Sequence, residues 1–543
     1  MDKIYETNAV KKDLRKVQLK FALCYPEPYR VGMSCLAIHT LYEILNSRKD
    51  VACERAFFQP HNSAAPSTLE SNIPLNRMDV IGFSLQYETD YVNVLRMLLD
   101  SGIQLRSDQR NEKDPLVIAG GPCATGNPEP MSDFVDIFVV GDAESVLPKI
   151  IDLTIETKKP RAHLNEFMDV KGLYIPSMKQ DSVGREWIQD LNTATHPIRQ
   201  VVPVVGQNTR LSPIFGRTLL TEVTRGCGHG CRFCYAGYIA RPYRERSSNE
   251  IEDIIEKGIK ATGVSKVSLI GSGLSDYARL AEICDWIVNE SHLGLSVASL
   301  RASSVSVELL KLLAKGGERT LTVAPEAGSQ SLRDSLNKKI TDDDVIQSAE
   351  NALEAGLSNL KMYFMIGLPR ERNEDIQDMI NMVKRIGKLG YKSRSIRLSI
   401  APFIPKPHTP FQWFGMEQRS DLEEKLRMLR SDLCHSAKID VESPDLRWSR
   451  IQTILSMAGK DIGRSLEYVA RAGGTLGAWR RAIGTNQDIS ATCESSRTVE
   501  SELPWDKINV GVSKEFLRDE MHKALKGETS PSCSNGCQEC GVC

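Results

Sequence analysis

The chain has 543 residues, of which 41% are hydrophobic and 26% are charged, and its formal net charge is −1. This length predicts roughly three domains, and the balanced charge excludes a global attraction to nucleic acid or anionic membranes. The N-terminus is charged, without the apolar segment of a signal peptide, and no apolar run approaches the ~20 residues of a membrane span. We therefore expect a cytoplasmic protein whose fourteen cysteines are metal ligands and buried thiols rather than disulfides.

Strand and helix patterns alternate through the N-terminal region, residues 1–155. Short apolar runs predict strands at 17–24, 52–58, 80–84, 116–119 and 135–140, and helical spacing predicts helices at 32–46 and 90–100. This alternation is typical of a doubly wound, Rossmann- or flavodoxin-like parallel sheet, whose ligands bind outside the carboxyl ends of the strands. Residues 156–215, which several prolines interrupt, predict a linker with short strands and no chemistry of its own.

Six strand and helix units follow in the central region, residues 216–430. The predicted strands are 218–223, 266–270, 295–299, 320–323, 359–364 and 395–400, with helical patterns between them. Six consecutive units predict a partial (β/α)6 TIM-type barrel with its site at the carboxyl ends of the strands. The last region, 431–543, is predicted to be mainly helical and ends in a cysteine-rich tail. The fold class is therefore α/β.

Three cysteines lie in a loop directly after the first predicted barrel strand. Cys227, Cys231 and Cys234 are separated by three and then two residues. Three thiolates this close can hold three corners of one cubane iron–sulfur cluster and leave the fourth iron open. The alternative is a zinc site, which needs a fourth ligand. His229 is the local candidate for that ligand, but its position inside the first spacer gives it poor geometry.

This cysteine pattern, with the aromatic Phe233 before its last cysteine, resembles that of the radical S-adenosylmethionine (SAM) superfamily. The resemblance implies that SAM chelates the open iron of a [4Fe–4S] cluster and that electron transfer releases a 5′-deoxyadenosyl radical. It also implies a reductant such as ferredoxin or flavodoxin. Phe233 is then expected to lie against the adenine.

Other strand ends match the family's SAM-pocket segments. Residues 271–273 take the place of its Gly-Gly-Glu segment but lack the glutamate, so backbone carbonyls would face the SAM amino group. Glu326 is a candidate for the ribose or carboxylate, with a helix cap as its alternative role, and Arg301 could neutralise the carboxylate. Residues 366–367 match the adenine segment. The implied SAM contacts are Phe233, Gly271, Ser272, Gly273, Arg301, Glu326, Ile366 and Gly367.

The N-terminal region, placed before such a core, resembles a cobalamin-binding domain. Its strand-end loops supply the implied contacts Tyr29, Gly32, Ser84, Leu85, Gly120 and Gly121. The family's Asp-x-His-x-x-Gly motif is absent, and His39, one turn into the next helix, is interpreted as a helix-face residue. One alternative is a degenerate Rossmann-like lid or dimerisation unit. Another is a methylthiotransferase-like cluster on Cys24, Cys35 and Cys123, although Cys35 falls inside a predicted helix and the local sequences do not resemble that family.

Three further side chains are candidates for substrate contacts. Arg241 and Arg244, just beyond the cysteines, suit carboxylates or phosphates, and a solvated helix entry is the alternative. His408, in a proline-rich turn after the sixth strand, is a candidate proton donor or substrate contact. Its alternative role is loop packing.

The tail carries Cys533, Cys537, Cys540 and Cys543 within eleven residues. They predict an auxiliary iron–sulfur cluster, a zinc site or a redox relay, with iron–sulfur ranked narrowly before zinc. One compact site for all four is sterically tight, and in dense ferredoxin-like runs the fourth cysteine can ligate elsewhere. The whole chain resembles an uncharacterised fused family with a cobalamin-type domain, a radical SAM domain and a cysteine tail.

Three hypotheses follow, and we rank first a radical SAM enzyme that methylates an unactivated carbon with the help of cobalamin. The second is a cobalamin-independent radical SAM oxidoreductase or methylthiotransferase-like enzyme acting on RNA or protein. The third, a non-enzymatic iron–sulfur partner protein, conflicts with the SAM-pocket segments. The neutral charge and the lack of an obvious nucleic-acid module favour a small-molecule or protein substrate over nucleic acid.

Overall fold

A computed structural model describes residues 4–60, 65–204, 209, 211–433, 436–484, 494–533, 537 and 539–543. Within these residues, no helix combines the length and the apolar character needed to span a bilayer.

The N-terminal sheet, as far as it is described, has six strands, of which the first five in the chain are parallel. In space these five stand in the chain order 2-1-3-4-5, the order of flavodoxin-like sheets. The order reverses beside the first strand, which places a ligand crevice between the first and third strands. From edge to edge the strands are Val51–Phe57, Leu19–Tyr25, Val80–Ser84, Leu116–Gly120, Ile137–Val139 and Leu173–Tyr174.

Helices cover both faces of this sheet, because alternate residues of the central strand are apolar on both sides. Phe21 and Leu23 belong to one hydrophobic cluster, whereas Ala22 and Cys24 belong to the cluster on the opposite face. The predicted doubly wound sheet is therefore confirmed. The helices are Tyr29–Gly32, Leu36–Ser47, Tyr91–Asp100, Pro122–Gly126 and Leu147–Thr157.

The central region forms a partial barrel from two four-stranded sheets. The first sheet contains Arg244–Glu245, Leu219–Arg225, Lys266–Gly271 and Gly294–Val297; the second contains Thr320–Glu326, Asn359–Ile366, Ile396–Pro402 and Ile439–Glu442. All six predicted strands are present and pair in parallel with one another within each sheet, which confirms the predicted fold class. The short strand Arg244–Glu245 is antiparallel to Leu219–Arg225. A seventh parallel strand, Ile439–Glu442, extends the second sheet within a region that the sequence predicted to be helical.

The barrel helices follow the strands as predicted. They are Ala236–Ile239, Ser248–Thr262, Leu280–Asp285 with a π-helical continuation at Trp286–Glu290, Val307–Lys315, Gln330–Ser335, Asp342–Glu354 and Asn373–Gly387. Beyond the barrel come the helices Arg419–Leu433, Leu446–Met457, Gly463–Arg471, Leu476–Gly484 and Lys514–Lys526. We call the last of these the C-terminal helix.

The C-terminal region connects the two larger domains. Helix Gly463–Arg471 packs against Tyr91–Asp100 of the N-terminal domain, and the C-terminal helix packs against Gln330–Ser335 of the barrel. Two small strand pairs hold the linker: Glu6–Thr7 pairs with Val202–Pro203, and Val183–Gly184 pairs with Ile508–Asn509. The described residues therefore form one packed body in which the barrel mouth faces the N-terminal sheet.

Candidate active site

The loop that carries the three cysteines, residues 226–235, is fixed by contacts along its length. We call it the cluster loop. It begins at Gly226, whose φ is +80° and whose Cβ, if present, would lie 2.4 Å from the carbonyl oxygens of Ala240 and Pro242, so only glycine fits. Its middle is held by Asn337 Nδ2 and Tyr238 Oη, which each donate to the Gly230 carbonyl at 3.2 Å.

The three thiols of the cluster loop share one neighbourhood. Cys231 is buried, and Cys227 and Cys234 are half-buried. Burial raises the pKa of Cys227 to about 11 and that of Cys234 to about 12, and the neighbouring thiols add to both shifts. In the described part of the chain, no three His, Cys, Asp or Glu side chains surround a point at single-ion distances. Three thiols in one short loop, of which Cys227 and Cys234 resist ionisation unless a metal ion replaces the proton, fit the predicted iron–sulfur cluster.

His229, the candidate fourth ligand of a zinc site, makes a hydrogen bond to an acidic side chain. His229 Nε2 lies 2.9 Å from the Asp276 carboxylate, at the surface of the loop. The ring is therefore engaged in a hydrogen bond outside the group of thiols.

Charged side chains lie beside the thiols, and one of them, Lys338, was missed by the sequence analysis. Its Nζ lies 3.1 Å from Glu326 Oε1. Burial opposes the charge of Lys338, but Glu326 and Cys231 together raise its pKa. Arg301 donates from Nη2 to the Lys339 carbonyl at 2.9 Å and helps to lower the pKa of Cys227. A carboxylate and two cations thus flank the expected cluster, as recognition of an amino acid moiety requires.

Glu326 is held in an unusual backbone conformation. Its φ is +72°, in the left-handed region that non-glycine residues rarely adopt. It does not cap the following helix, because Ser329 Oγ accepts from Leu332 N at that position. The cap alternative is therefore wrong.

An apolar wall lies on the other side of the cluster loop. Phe233 packs against a cluster of buried residues that includes Ala327, Leu332, Leu368 and Phe403. The neighbouring Ile366 is buried, and Gly367 has a φ of +74° and donates its N–H to Glu371 Oε1 at 3.0 Å. This wall could receive a flat aromatic ring, as expected for adenine.

The segment after the second barrel strand reaches the same mouth. A Cβ on Gly271 would lie 2.1 Å from Thr224 Oγ1, and one on Gly273 would lie 3.2 Å from the Tyr243 ring. Ser272 between them is exposed. The backbone of this segment is therefore closely packed against the strand that leads into the cluster loop.

The three substrate candidates are all buried. Arg244 pairs with Asp142 at 3.0 Å and lies over the Trp187 ring, and His408 Nε2 lies 2.9 Å from the Gly126 carbonyl oxygen. The packing role fits His408, whereas the solvated entry proposed as the alternative for Arg241 and Arg244 is wrong.

A largely apolar cavity of about 370 Å³ occupies the crevice of the N-terminal sheet. Ser84, Gly120 and Gly121 line it, whereas Tyr29 donates to Glu6 at 2.7 Å and Gly32 packs under the Phe57 ring, both outside the lining. Leu85 shapes the turn instead, because its N–H donates to the Gly120 carbonyl at 2.8 Å. Cys35, predicted inside a helix, directly precedes Leu36–Ser47 and lines the cavity.

The rim of the cavity belongs to the barrel. Arg225, two residues before Cys227, contacts Asp142 at 3.1 Å, Glu144 at 2.8 Å and Glu222 at 2.9 Å. Glu222 and Arg225 both line the cavity. Burial opposes ionisation of Glu222, but Arg225 lowers its pKa. One strand end therefore joins the cavity to the cluster loop.

The cysteine loop at a carboxyl strand end of a partial barrel defines the class of radical SAM enzymes. Residues 221–383 match the model of the radical SAM superfamily, and residues 37–176 match that of radical SAM proteins, N-terminal. An uncharacterised protein of Methanocaldococcus jannaschii, MJ0966, is 31% identical over 449 residues, which are 82% of this chain and 90% of that protein. The chain belongs to the radical SAM superfamily and is an enzyme that uses a [4Fe–4S] cluster and SAM.

Two solved structures share the overall fold. One is the radical SAM methyltransferase TsrM from Kitasatospora setae, with cobalamin and a [4Fe–4S] cluster bound. Its sequence is 13% identical, the TM-score is 0.51, and the match covers 87% of this chain and 98% of that one. The other is the cobalamin-dependent radical SAM enzyme OxsB, with aqua-cobalamin and SAM bound. Its sequence is 14% identical, the TM-score is 0.51, and the match covers 94% of this chain and 80% of that one. At these identities the similarity concerns the fold.

Proposed function

We propose that the chain is a cobalamin-dependent radical SAM enzyme that transfers a methyl group to an unactivated carbon of a small molecule or a protein side chain. The observation that carries this proposal is the cavity of about 370 Å³ at the crevice of the N-terminal sheet, with its rim on the strand that enters the cluster loop. Ligands of doubly wound sheets bind at this crevice.

The walls of the cavity suit the flat, weakly polar base at the nucleotide end of a corrinoid. Phe21, Leu23 and Leu41 supply apolar surface. Gly121 brings bare backbone to the lining: its φ is +102°, and a Cβ there would lie 2.7 Å from the Leu85 carbonyl oxygen. Close approach of backbone to a ligand is a recurrent use of glycine.

Among the described residues that line the cavity, none is a histidine that could face the lower side of cobalt. His39 is buried, its Nε2 lies 3.1 Å from the Met33 carbonyl oxygen, and burial lowers its pKa to about 4. A corrinoid would therefore be held by its nucleotide end and its surroundings. Bound cobalamin would supply the methyl donor, while Lys338, Glu326 and Arg301 orient SAM at the cluster loop.

TsrM and OxsB add support, because each has the same order of domains and is described with cobalamin bound. TsrM is named a methyltransferase. These properties belong to those proteins, and the cavity is the reason to extend them to this chain.

Corrinoid retention tests the proposal. The full chain is reconstituted anaerobically with iron and sulfide, incubated with hydroxocobalamin and desalted, and the retained corrinoid is measured by absorbance. SAM and a reductant are then added, and the 5′-deoxyadenosine formed is measured. Ala37→Trp, on the cavity wall, should reduce retained corrinoid at least tenfold and leave the iron content unchanged. Ser47→Trp, on the exposed end of the same helix, should retain corrinoid normally.

Deoxyadenosine formation without corrinoid in the unaltered chain would reject cobalamin dependence and leave a cobalamin-independent radical SAM enzyme. Normal retention by Ala37→Trp would show that the corrinoid does not occupy this cavity.

A further inference from the structure

We propose that Cys533, Cys537, Cys540 and Cys543 hold a second iron–sulfur cluster that lies against the loop of the first cluster, with Arg241 as the cation that faces it. This site is independent of the proposed use of cobalamin.

The cysteine tail contacts the cluster loop, although the two segments are far apart in the sequence. Cys533 N–H donates to the carbonyl of Gly228, the residue after Cys227, at 2.9 Å. Three residues earlier, Ser530 N–H donates to Asn337 Oδ1 at 2.9 Å. Asn337 is the same side chain that holds the cluster loop, so tail and loop share one set of hydrogen bonds.

The four tail thiols lie within eleven residues of the sequence. Cys540 is buried, and its carbonyl accepts the Ser513 N–H at 2.9 Å at the start of the C-terminal helix. The other three are exposed. The group therefore has one side turned into the protein and one side turned to solvent.

Arg241 provides the independent observation that a charged ligand belongs here. Its side chain is 1% exposed, and among the described residues its Nη1 and Nη2 have no oxygen or nitrogen acceptor, although Nε donates to the Gly237 carbonyl at 2.8 Å. The rings of Tyr238 and Phe516 lie 4.8 and 5.5 Å from the guanidinium carbon. A buried guanidinium whose N–H groups lack such acceptors is costly.

The tail thiols lie on the side where those N–H groups need acceptors. Among the described residues, the Cys540 side chain is a hydrogen-bond partner of the Arg241 guanidinium. The sulfur atoms of an anionic cluster would accept from these N–H donors, and hydrogen bonds to sulfur are a known determinant of cluster potential.

The spacing favours iron–sulfur over zinc. The intervals of three, two and two residues are as short as those in cysteine runs that bind iron–sulfur clusters. Structural zinc sites commonly take their ligands from two separated pairs, whereas these four cysteines lie within eleven residues.

Metal content of the full chain, without cobalamin, tests the site. After anaerobic reconstitution the unaltered chain should bind roughly eight irons, four for each cubane. The double variant Cys537→Ser/Cys543→Ser, at exposed positions, should bind roughly four. Alanine at Cys227, Cys231 and Cys234 should leave only the irons of the tail cluster. Cys284→Ala removes a buried thiol outside both groups and should change nothing.

The electron paramagnetic resonance spectrum tests the contact between the clusters. Two adjacent reduced clusters should broaden each other's signals, and the double variant should show one narrow signal. Zinc in the tail, or equal iron in the double variant and the unaltered chain, would overturn the second cluster. Two unbroadened signals would overturn its position.

The reduction potential of the tail cluster tests the role of Arg241. Arg241→Gln should lower the potential of the tail cluster alone, because a cation that favours the reduced state is lost, and Arg241→Lys should restore most of it. An unchanged potential in a folded Arg241→Gln variant, or in Arg241→Gln and Arg241→Lys alike, would overturn this assignment.

Discussion

Glu520→Gln should loosen the cluster loop, because Glu520 of the C-terminal helix is the counter-ion of Arg232 within that loop. Oε2 of Glu520 accepts from Arg232 Nε at 3.1 Å and Nη2 at 3.0 Å, and the side chains are 2% and 0% exposed. Arg232 lies between Cys231 and Phe233, so its displacement would disturb a cluster ligand and the expected adenine wall together.

The size of the effect follows from the burial of the pair. Removing one partner of a buried ion pair costs about 3–5 kcal/mol. Arg232 keeps its 2.9 Å hydrogen bond to the Ser335 carbonyl, and glutamine can keep the contacts of Glu520 with Lys523 and Ser530. We therefore expect the lower end, about 3 kcal/mol.

Hydrogen exchange measures this local effect without assuming two-state unfolding of a large chain. Peptides covering 226–240 and 514–526 should exchange about 150-fold faster in Glu520→Gln, since 1.4 kcal/mol is a factor of ten. The apolar double variant Arg232→Met/Glu520→Leu should lose less than Glu520→Gln, because no charge stays buried alone. Asp519→Asn, exposed on the same helix, is the matched control.

Exchange rates in Glu520→Gln within threefold of those in Asp519→Asn would refute the reasoning. They would mean that the ion pair does not hold the loop.

Three further outcomes are expected. Cys231→Ala should abolish 5′-deoxyadenosine formation and remove the iron of the first cluster, and detection of SAM cleavage in this variant would contradict the assigned ligand set. Gly121→Ala should reduce the free energy of unfolding by about 1–3 kcal/mol and weaken corrinoid binding, because the φ of Gly121 is +102°. Gly102→Ala controls for backbone strain, because Gly102 is also left-handed but lies in open space. Equal corrinoid binding by the two variants would argue against a role of the turn at Gly121. His408, whose pKa burial lowers to about 4, stays neutral when folded while the unfolded chain takes up its proton below about pH 6.5. The free energy of unfolding should therefore fall by about 2 kcal/mol between pH 6.5 and 5 through this residue. In urea denaturation series, His408→Gln should reduce this dependence of stability on pH. An unchanged pH dependence would show that the His408 side chain does not contribute.

The fold was predictable where strands are continuously apolar. Strands buried on both faces carry such runs, and the barrel strands begin within about one residue of their predicted starts. The seventh strand, Ile439–Glu442, was missed because it alternates apolar and acidic residues over four positions and resembles its helical surroundings. Its identity depends on pairing with Ile396–Pro402, which lies outside any local window.

The site was predictable where one short motif holds its parts. The spacing of the first three cysteines indicated the cluster loop, whereas Lys338 and Asn337 gave no signal, because a lysine and an asparagine after a helix are common on any surface. The tail cysteines were visible, but their contact with Gly228 and Arg241 depends on tertiary structure. Gly120 and Gly121 indicated the cavity, and its apolar helix wall, Leu36–Ser47, resembles any packed helix.

The bond between Arg232 and Glu520 spans 288 residues, and this separation constrains how the protein matures. During synthesis at about 5–20 residues per second, the cysteine loop leaves the ribosome roughly 15–60 s before its partner helix. Throughout that interval the thiols lack the support of the C-terminal helix and of Ser530. Iron delivery before that helix emerges would meet an unsupported loop, so cofactor insertion should follow the synthesis of the C-terminal helix.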